Sequence, residues 1–175
     1  MNKNIFVDET LEILDVVDEH DVVVGEMNRC DINKKLLSHR IVHVLIFDKN
    51  KKLLLQKRSA KKSFCPRNWS TSVGGHVQKG ETYERAALRE FVEELGFSKP
   101  VELLFKTRFD DPRGFFMFLE VFKATYEGEF KLDPDDVESV EYFSREEINK
   151  MIETGEKFHP ELKFILKEYE KVIFD

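Results

Sequence analysis

No apolar run in this 175-residue chain approaches the roughly 20 residues a membrane-crossing helix needs. The opening Met1-Asn2-Lys3-Asn4 runs into an acidic segment rather than the apolar core of a signal peptide, so the expected location is the cytoplasm. Cysteine is nearly absent: only Cys30 and Cys65 occur, far apart and in no metal-binding spacing, which reads as buried or surface thiols rather than a disulfide framework or a nucleophile. There is no internal repeat, no low-complexity tract and no separate linker. Nor is there an excess of positive charge. A net charge of -6 with both signs interspersed argues against binding polymeric nucleic acid through a basic surface, while leaving nucleotide-sized anions open. Hydrophobic residues make up 41% of the chain, which excludes disorder, and the length fits one domain over 1–175. Oligomeric state is not legible.

The stretch from Gly75 to Phe97 is the most informative one. Gly74-Gly75 is expected in a glycine loop that permits close backbone approaches, and a helix is expected from an N-cap at Thr82 to Leu95, with Gly96 where a C-terminal glycine cap belongs. At about 100° per residue, Leu88, Phe91, Val92 and Leu95 share one face, and Glu90, Glu93 and Glu94 gather opposite them. Like charges at these spacings repel by about 0.2–0.5 kcal/mol per pair unless a cation lies among them. Hard oxygen donors select Mg²⁺, or Mn²⁺, over softer metals, and such an ion suits attack on a diphosphate. Arg89 adjoins the triad and is placed to orient Glu81 or Glu93 by a charge-assisted hydrogen bond. An acidic face opposite an apolar one is also the ordinary pattern of solvated surface, so the triad alone does not decide.

The full pattern does more: Gly75, five residues, Glu81, seven residues, then Arg89-Glu90-Phe91-Val92-Glu93-Glu94-Leu95-Gly96-Phe97. It resembles the signature of the Nudix hydrolases without a departure. That resemblance implies an α/β fold, an α/β/α sandwich with a mixed sheet, and hydrolysis of a small-molecule diphosphate, typically a nucleoside diphosphate linked to another group. It also implies roles: Glu90, Glu93 and Glu94 as metal ligands with the Gly75 carbonyl, and Glu81 with Arg89 as the pair fixing the loop onto the helix. The catalytic base is not assigned by the motif.

Apolar runs and turn signals lay out the rest. Leu11 to Val17 and Val22 to Met27 predict an N-terminal β-hairpin, and residues 28 to 38 a short helix or a loop. Strands are expected at Ile41 to Phe47, Leu53 to Lys57, Val101 to Thr107, Phe115 to Thr125 and Val137 to Phe143, with a turn at Asp110 to Gly114. Ser144 is a helix N-cap before Arg145 to Ile152, and Pro160 opens a last helix to about Val172. Phe115, Phe116, Phe118 and Phe122 read as core on a strand buried on both faces. The acidic run Asp133, Asp135, Asp136, Glu138 and Glu141 reads as solvent-facing, while the Nudix resemblance keeps one of them, or Glu120, as a reserve base or extra ligand.

A second resemblance covers roughly residues 12 to 97. Val17-Asp18-Glu19, Gly25, His39, Leu54-Leu55, Arg58, Lys61-Lys62, Pro66, Trp69, Ser72 and Gly75-His76 are similar to isopentenyl-diphosphate isomerases and their Nudix relatives. In those isomerases a cysteine precedes the Gly-His pair and moves a proton; Gly74 stands there here. Their metal site of three histidines and two glutamates is represented only by His39, His76 and Glu120, with Asn33 near the expected third histidine. The thiol has no replacement at that position, so hydrolysis is favoured over isomerisation; a non-catalytic nucleotide-binding module is the third reading. Arg58 and Lys62 match basic positions that bind diphosphate, or else solubilise a loop. His39 and His76 are second-site ligands or structural groups. Glu120, placed on a strand, is paired, edge-exposed, or a reserve ligand or base. Nothing singles out His43.

Overall fold

Six consecutive residues from Ile41 to Ile46 are buried, as in a strand covered on both faces. The computed structural model describes residues 12–175, so the expected strand start at Leu11 lies outside the described residues. The elements in order are β1 (Ile13–Val17), β2 (Val23–Asn28), α1 (Arg29–Lys35), β3 (His39–Phe47), β4 (Leu53–Arg58), β5 (Trp69–Ser70), β6 (Val73–His76), α2 (Tyr83–Leu95), β7 (Glu102–Asp111), β8 (Phe115–Thr125), β9 (Val137–Phe143), α3 (Arg145–Glu153) and α4 (Pro160–Phe174). No helix among the described residues is long and apolar enough to cross a membrane.

β1 and β2 form the expected antiparallel hairpin, and the other seven strands form one mixed sheet. β3 pairs in parallel with β8, and β7 extends β8 antiparallel. β3 and β4 pair only at Phe47 and Leu53; beyond that point β3 takes β6 as its partner and β4 takes β9. Ser72 bridges the two branches, accepting from the Ile46 N–H at 2.8 Å and donating to the Leu54 carbonyl at 2.5 Å. On one face, Ile41, Leu45, Leu53, Leu55, Met117, Leu119 and Val121 pack with Leu162, Ile165 and Leu166 of α4. On the other, Val42, Val44, Ile46, Leu54, Val73 and Phe122 pack with Ala86, Ala87, Phe91 and Leu95 of α2. The result is the expected α/β arrangement of a mixed sheet between helices.

Four expectations change. Residues 28 to 38 resolve toward helix: Asn28 caps α1 by accepting from the Cys30 N–H at 2.8 Å. Gly74-Gly75 is not a loop but the middle of β6, opposite His43 and Val42. β7 runs to Asp111 because Asp110 and Asp111 pair with Phe116 and Phe115, leaving a turn closed by Gly114 at φ +100°. β8 is not buried on both faces throughout: Phe116 and Phe118 are only half-buried, and their face is covered by β7 cations, with the Arg108 guanidinium 3.9 Å from the Phe116 ring centre and Lys106 Nζ 5.9 Å from that of Phe118.

Candidate active site

The site is built where α2 crosses β6. Thr82 Oγ1 accepts from the Arg85 N–H at 3.3 Å, and Gly96, at φ +79°, closes the helix with its N–H on the Val92 carbonyl at 3.0 Å. Phe91 and Leu95 are fully buried, which fixes the rotation of the helix. That rotation corrects the helical wheel in two places. Val92 is 50% exposed, while Glu94 is 7% exposed and turns toward the sheet. One Glu94 oxygen, Oε2, accepts from the Gly74 N–H at 3.2 Å and from Gln56 Nε2 at 3.3 Å.

Arg89 is the hub. Its Nε and Nη2 donate to both Glu81 oxygens at 3.1 and 2.9 Å, Nη2 also donates to the His76 carbonyl at 2.9 Å, and Nη1 donates to Glu90 Oε1 at 2.7 Å and Glu93 Oε2 at 3.1 Å. Glu81 in turn accepts from the Gln78 N–H at 3.1 Å, so the turn before α2, the end of β6 and the helix are tied through one guanidinium. Gly75 is required by proximity, not by its backbone angles: a Cβ there would fall 2.0 Å from the Glu90 carboxyl carbon.

The three carboxylates are short of positive charge. Burial pushes Glu90 up to about 7, against the pull of Arg89. Burial, the Glu90 charge and the Asp136 charge raise Glu94 well above the usual carboxylate range, and burial also raises Glu93. Among the described residues, no three His, Cys, Asp or Glu side chains already converge on one ligating point; Arg89 draws Glu90 and Glu93 to itself. The donor set fits a hard divalent cation nonetheless: all-oxygen, with Glu94 buried, the Glu90 side chain only 12% exposed, and one guanidinium shared among the carboxylates.

Other predicted residues divide between two regions. Lys62 pairs with Asp136, and its charge reaches Glu94 and His76. Arg58 instead donates from Nε and Nη2 to the Phe64 carbonyl at 3.3 and 3.2 Å, holding the loop after β4. The His39 and His76 rings stack at 5.2 Å on the α4 side of the sheet. Glu120 is paired: it lies 3.6 Å from Lys106 Nζ, in a cluster with Asp21, Arg40 and Tyr83, and not with the α2 carboxylates.

Glu12 and His43 have no sequence signal, and Asp136 is one reserve candidate within an acidic run. Glu12 accepts from Arg29 Nη1 at 2.8 Å and Gln78 Nε2 at 3.3 Å, and its charge acts on Glu90 and Glu93. Asp136, half-buried and paired with Lys62, places its charge within reach of Glu93 and Glu94. His43, unremarkable in sequence, is 3% exposed and sits between Thr71 and Glu161. Only long-range packing brings these together.

A sheet between helices with a glutamate-bearing helix docked on a glycine strand defines a class. The NUDIX domain family model matches residues 37–163, and the chain belongs to the Nudix family. An uncharacterized Nudix hydrolase of Streptomyces coelicolor is 45% identical over 106 residues, 59% of this chain and 58% of that protein. An isopentenyl-diphosphate Delta-isomerase of Photorhabdus laumondii is 42% identical over 91 residues, 52% of this chain and 51% of that one. These matches thus span little more than half the length of either relative. The crystal structure of DR0079 from Deinococcus radiodurans superposes with a TM-score of 0.77 at 29% identity, covering 90% of this chain and 99% of that one.

Proposed function

We propose that this protein is a Mg²⁺-dependent pyrophosphohydrolase acting on a small molecule that contains a diphosphate. The observation that carries the reading is the cluster of Glu90, Glu93 and Glu94 around Gly74-Gly75, locked in register by the Arg89–Glu81 fork. The three glutamates and the Gly75 carbonyl would hold the ion, with Mn²⁺ as an alternative. When bound, a divalent ion supplies charge neutralisation for the diphosphate and acidifies water at phosphorus. Lys62, now paired with Asp136, would orient a phosphate oxygen, and Arg58 would steady the loop that carries it. Water attacks phosphorus, the bridging P–O bond breaks, and a nearby carboxylate accepts the proton. Glu12 and Asp136 join the motif glutamates as candidates for that carboxylate.

The isomerase reading draws on the Photorhabdus relative and on the stacked His39–His76 pair. Gly74 weighs against it, since a Cβ there would lie 2.9 Å from His43 Nδ1 and 3.3 Å from Thr71 Oγ1, leaving little room for a thiol. A phosphate-release screen over nucleoside diphosphate derivatives with added Mg²⁺, run beside Glu93→Gln and Glu94→Gln, tests the proposal. Turnover is expected in the wild type and a loss of at least about a hundredfold in each variant; equal activity in all three removes the assignment.

A further inference from the structure

On the α4 side of β6, opposite the motif carboxylates, lies a second polar centre. Glu161, in the first turn of α4, has Oε2 3.1 Å from His43 Nε2 and 3.5 Å from His159 Nδ1. Thr71 Oγ1 donates its proton to the Val73 carbonyl at 3.0 Å, so at 2.7 Å it accepts from His43 Nδ1. His43 Nε2 is thereby turned toward the Glu161 carboxylate. Although burial opposes it, the neighbouring His159 and then His43 rings hold Glu161 down at about 2. Both imidazoles are nearly sealed, yet the Glu161 side chain stays 16% exposed. Its other oxygen, Oε1, takes no partner among the described residues.

A second open acceptor stands nearby. His39 Nδ1 donates to the Leu37 carbonyl at 2.9 Å, which leaves Nε2 as a bare lone pair; it is buried, without a partner among the described residues, on a ring within reach of the Glu161 charge. Aromatic walls frame the two: Phe115 stacks on His39 at 6.0 Å, Phe64 stands edge-on to His159 at 5.4 Å, and the Arg113 guanidinium lies 5.4 Å from the Phe64 ring and 5.0 Å from that of Phe115. The centre also touches the metal side through one residue. Gly74 packs on His43 and gives its N–H to Glu94.

We propose that this centre binds the part of the substrate beyond the diphosphate, and that Glu161 Oε1 and His39 Nε2 select a hydroxyl-bearing sugar moiety over a hydrocarbon tail. The proposal rests on the hydrolase reading for the position of the diphosphate. Its physical basis is that both open groups are acceptors, so a ligand must bring donors. A prenyl chain would strip water from a carboxylate and an imidazole and return no hydrogen bond, whereas sites built to pair a substrate hydroxyl reject analogues lacking it strongly.

The test is equilibrium binding by calorimetry of three diphosphates, ADP, 2′,3′-dideoxy-ADP and geranyl diphosphate, to wild type and Glu161→Gln, with Mg²⁺ turnover measured separately. Wild type is expected to bind ADP at least about tenfold more tightly than either other ligand, and Glu161→Gln to bring the three within about threefold of one another. Equal wild-type affinity for ADP and its dideoxy form, a preference for geranyl diphosphate, or no binding of any of the three overturns the proposal. The ligand series decides it even if Glu161→Gln fails to fold. Selective binding without turnover leaves it standing and refutes the hydrolase reading instead.

Discussion

Substituting Gly75 by alanine tests the geometry on which the site depends. The new Cβ would meet the Glu90 side chain at 2.0 Å from the carboxyl carbon, 2.1 Å from Oε1 and 2.6 Å from Cγ, all far inside van der Waals contact. Glu90 cannot yield freely, because its side chain is 12% exposed and Oε1 accepts from Arg89 at 2.7 Å. Forcing it aside costs the charge-assisted bond, about 1.5–3 kcal/mol, and an overpacking strain of about 1–3 kcal/mol. An outward swing of the carboxylate recovers hydration, so a net loss near 3 kcal/mol is expected. With an m-value of about 2 kcal/mol/M, the urea midpoint falls by roughly 1.5 M, and Mg²⁺-dependent turnover falls with it. Gly80→Ala is the control: nothing lies within 4 Å of its Cβ, but φ is +69°, so it costs only the left-handed penalty of about 1–2 kcal/mol. A Gly75→Ala protein with an unchanged midpoint, or one no worse than Gly80→Ala, refutes the steric account.

Arg89→Lys keeps the charge but loses the two-pronged contact with Glu81, and is expected to destabilise by about 2 kcal/mol in urea titrations and to lower kcat. Glu90 held at about 7 binds a proton more tightly folded than unfolded, so its contribution is present below about pH 4.5 and is lost as pH rises to about 7. Ion-free protein should therefore lose up to about 3 kcal/mol across that window, and Mg²⁺ at pH 8 should restore stability; thermal melts over a pH series, with and without the ion, check both. Phe91→Ala should cost about 3–5 kcal/mol while Val92→Ala costs under about 0.5, since Phe91 is 0% and Val92 50% exposed; equal effects in denaturant titrations would contradict the helix rotation described above.

The motif residues were legible because their spacing is local. Arg89 reaches Glu90 and Glu93 within one turn, and Glu81 across the turn before the helix, so a sequence pattern encodes the contacts. Helix ends were legible for the same reason: Thr82, Ser144 and Gly96 act on backbone groups within four residues. Two-residue β5 and four-residue β6 escaped detection because such strands carry too little periodicity to read, and their pairing is with distant β4 and β3. Val92 and Glu94 were assigned to the wrong sides because a helical wheel gives relative angles, while the sheet beneath sets the absolute rotation. Glu120 was left open in sequence, and its partner Lys106 is supplied by the neighbouring strand.

By itself, the sequence determined the family, the mixed α/β class and the residues of one helix and its lead-in, since each depends on contacts a few positions apart. Tertiary structure alone decided what surrounds them. It brought the charges of Glu12 and Asp136, more than a hundred residues apart in the chain, within reach of the glutamates. It turned His43 onto Gly74 and set Glu161 between His43 and His159, more than a hundred residues beyond the strand. No spacing rule encodes such contacts, because they follow from how β3 passes from β4 to β6 and from where α4 lands on the opposite face.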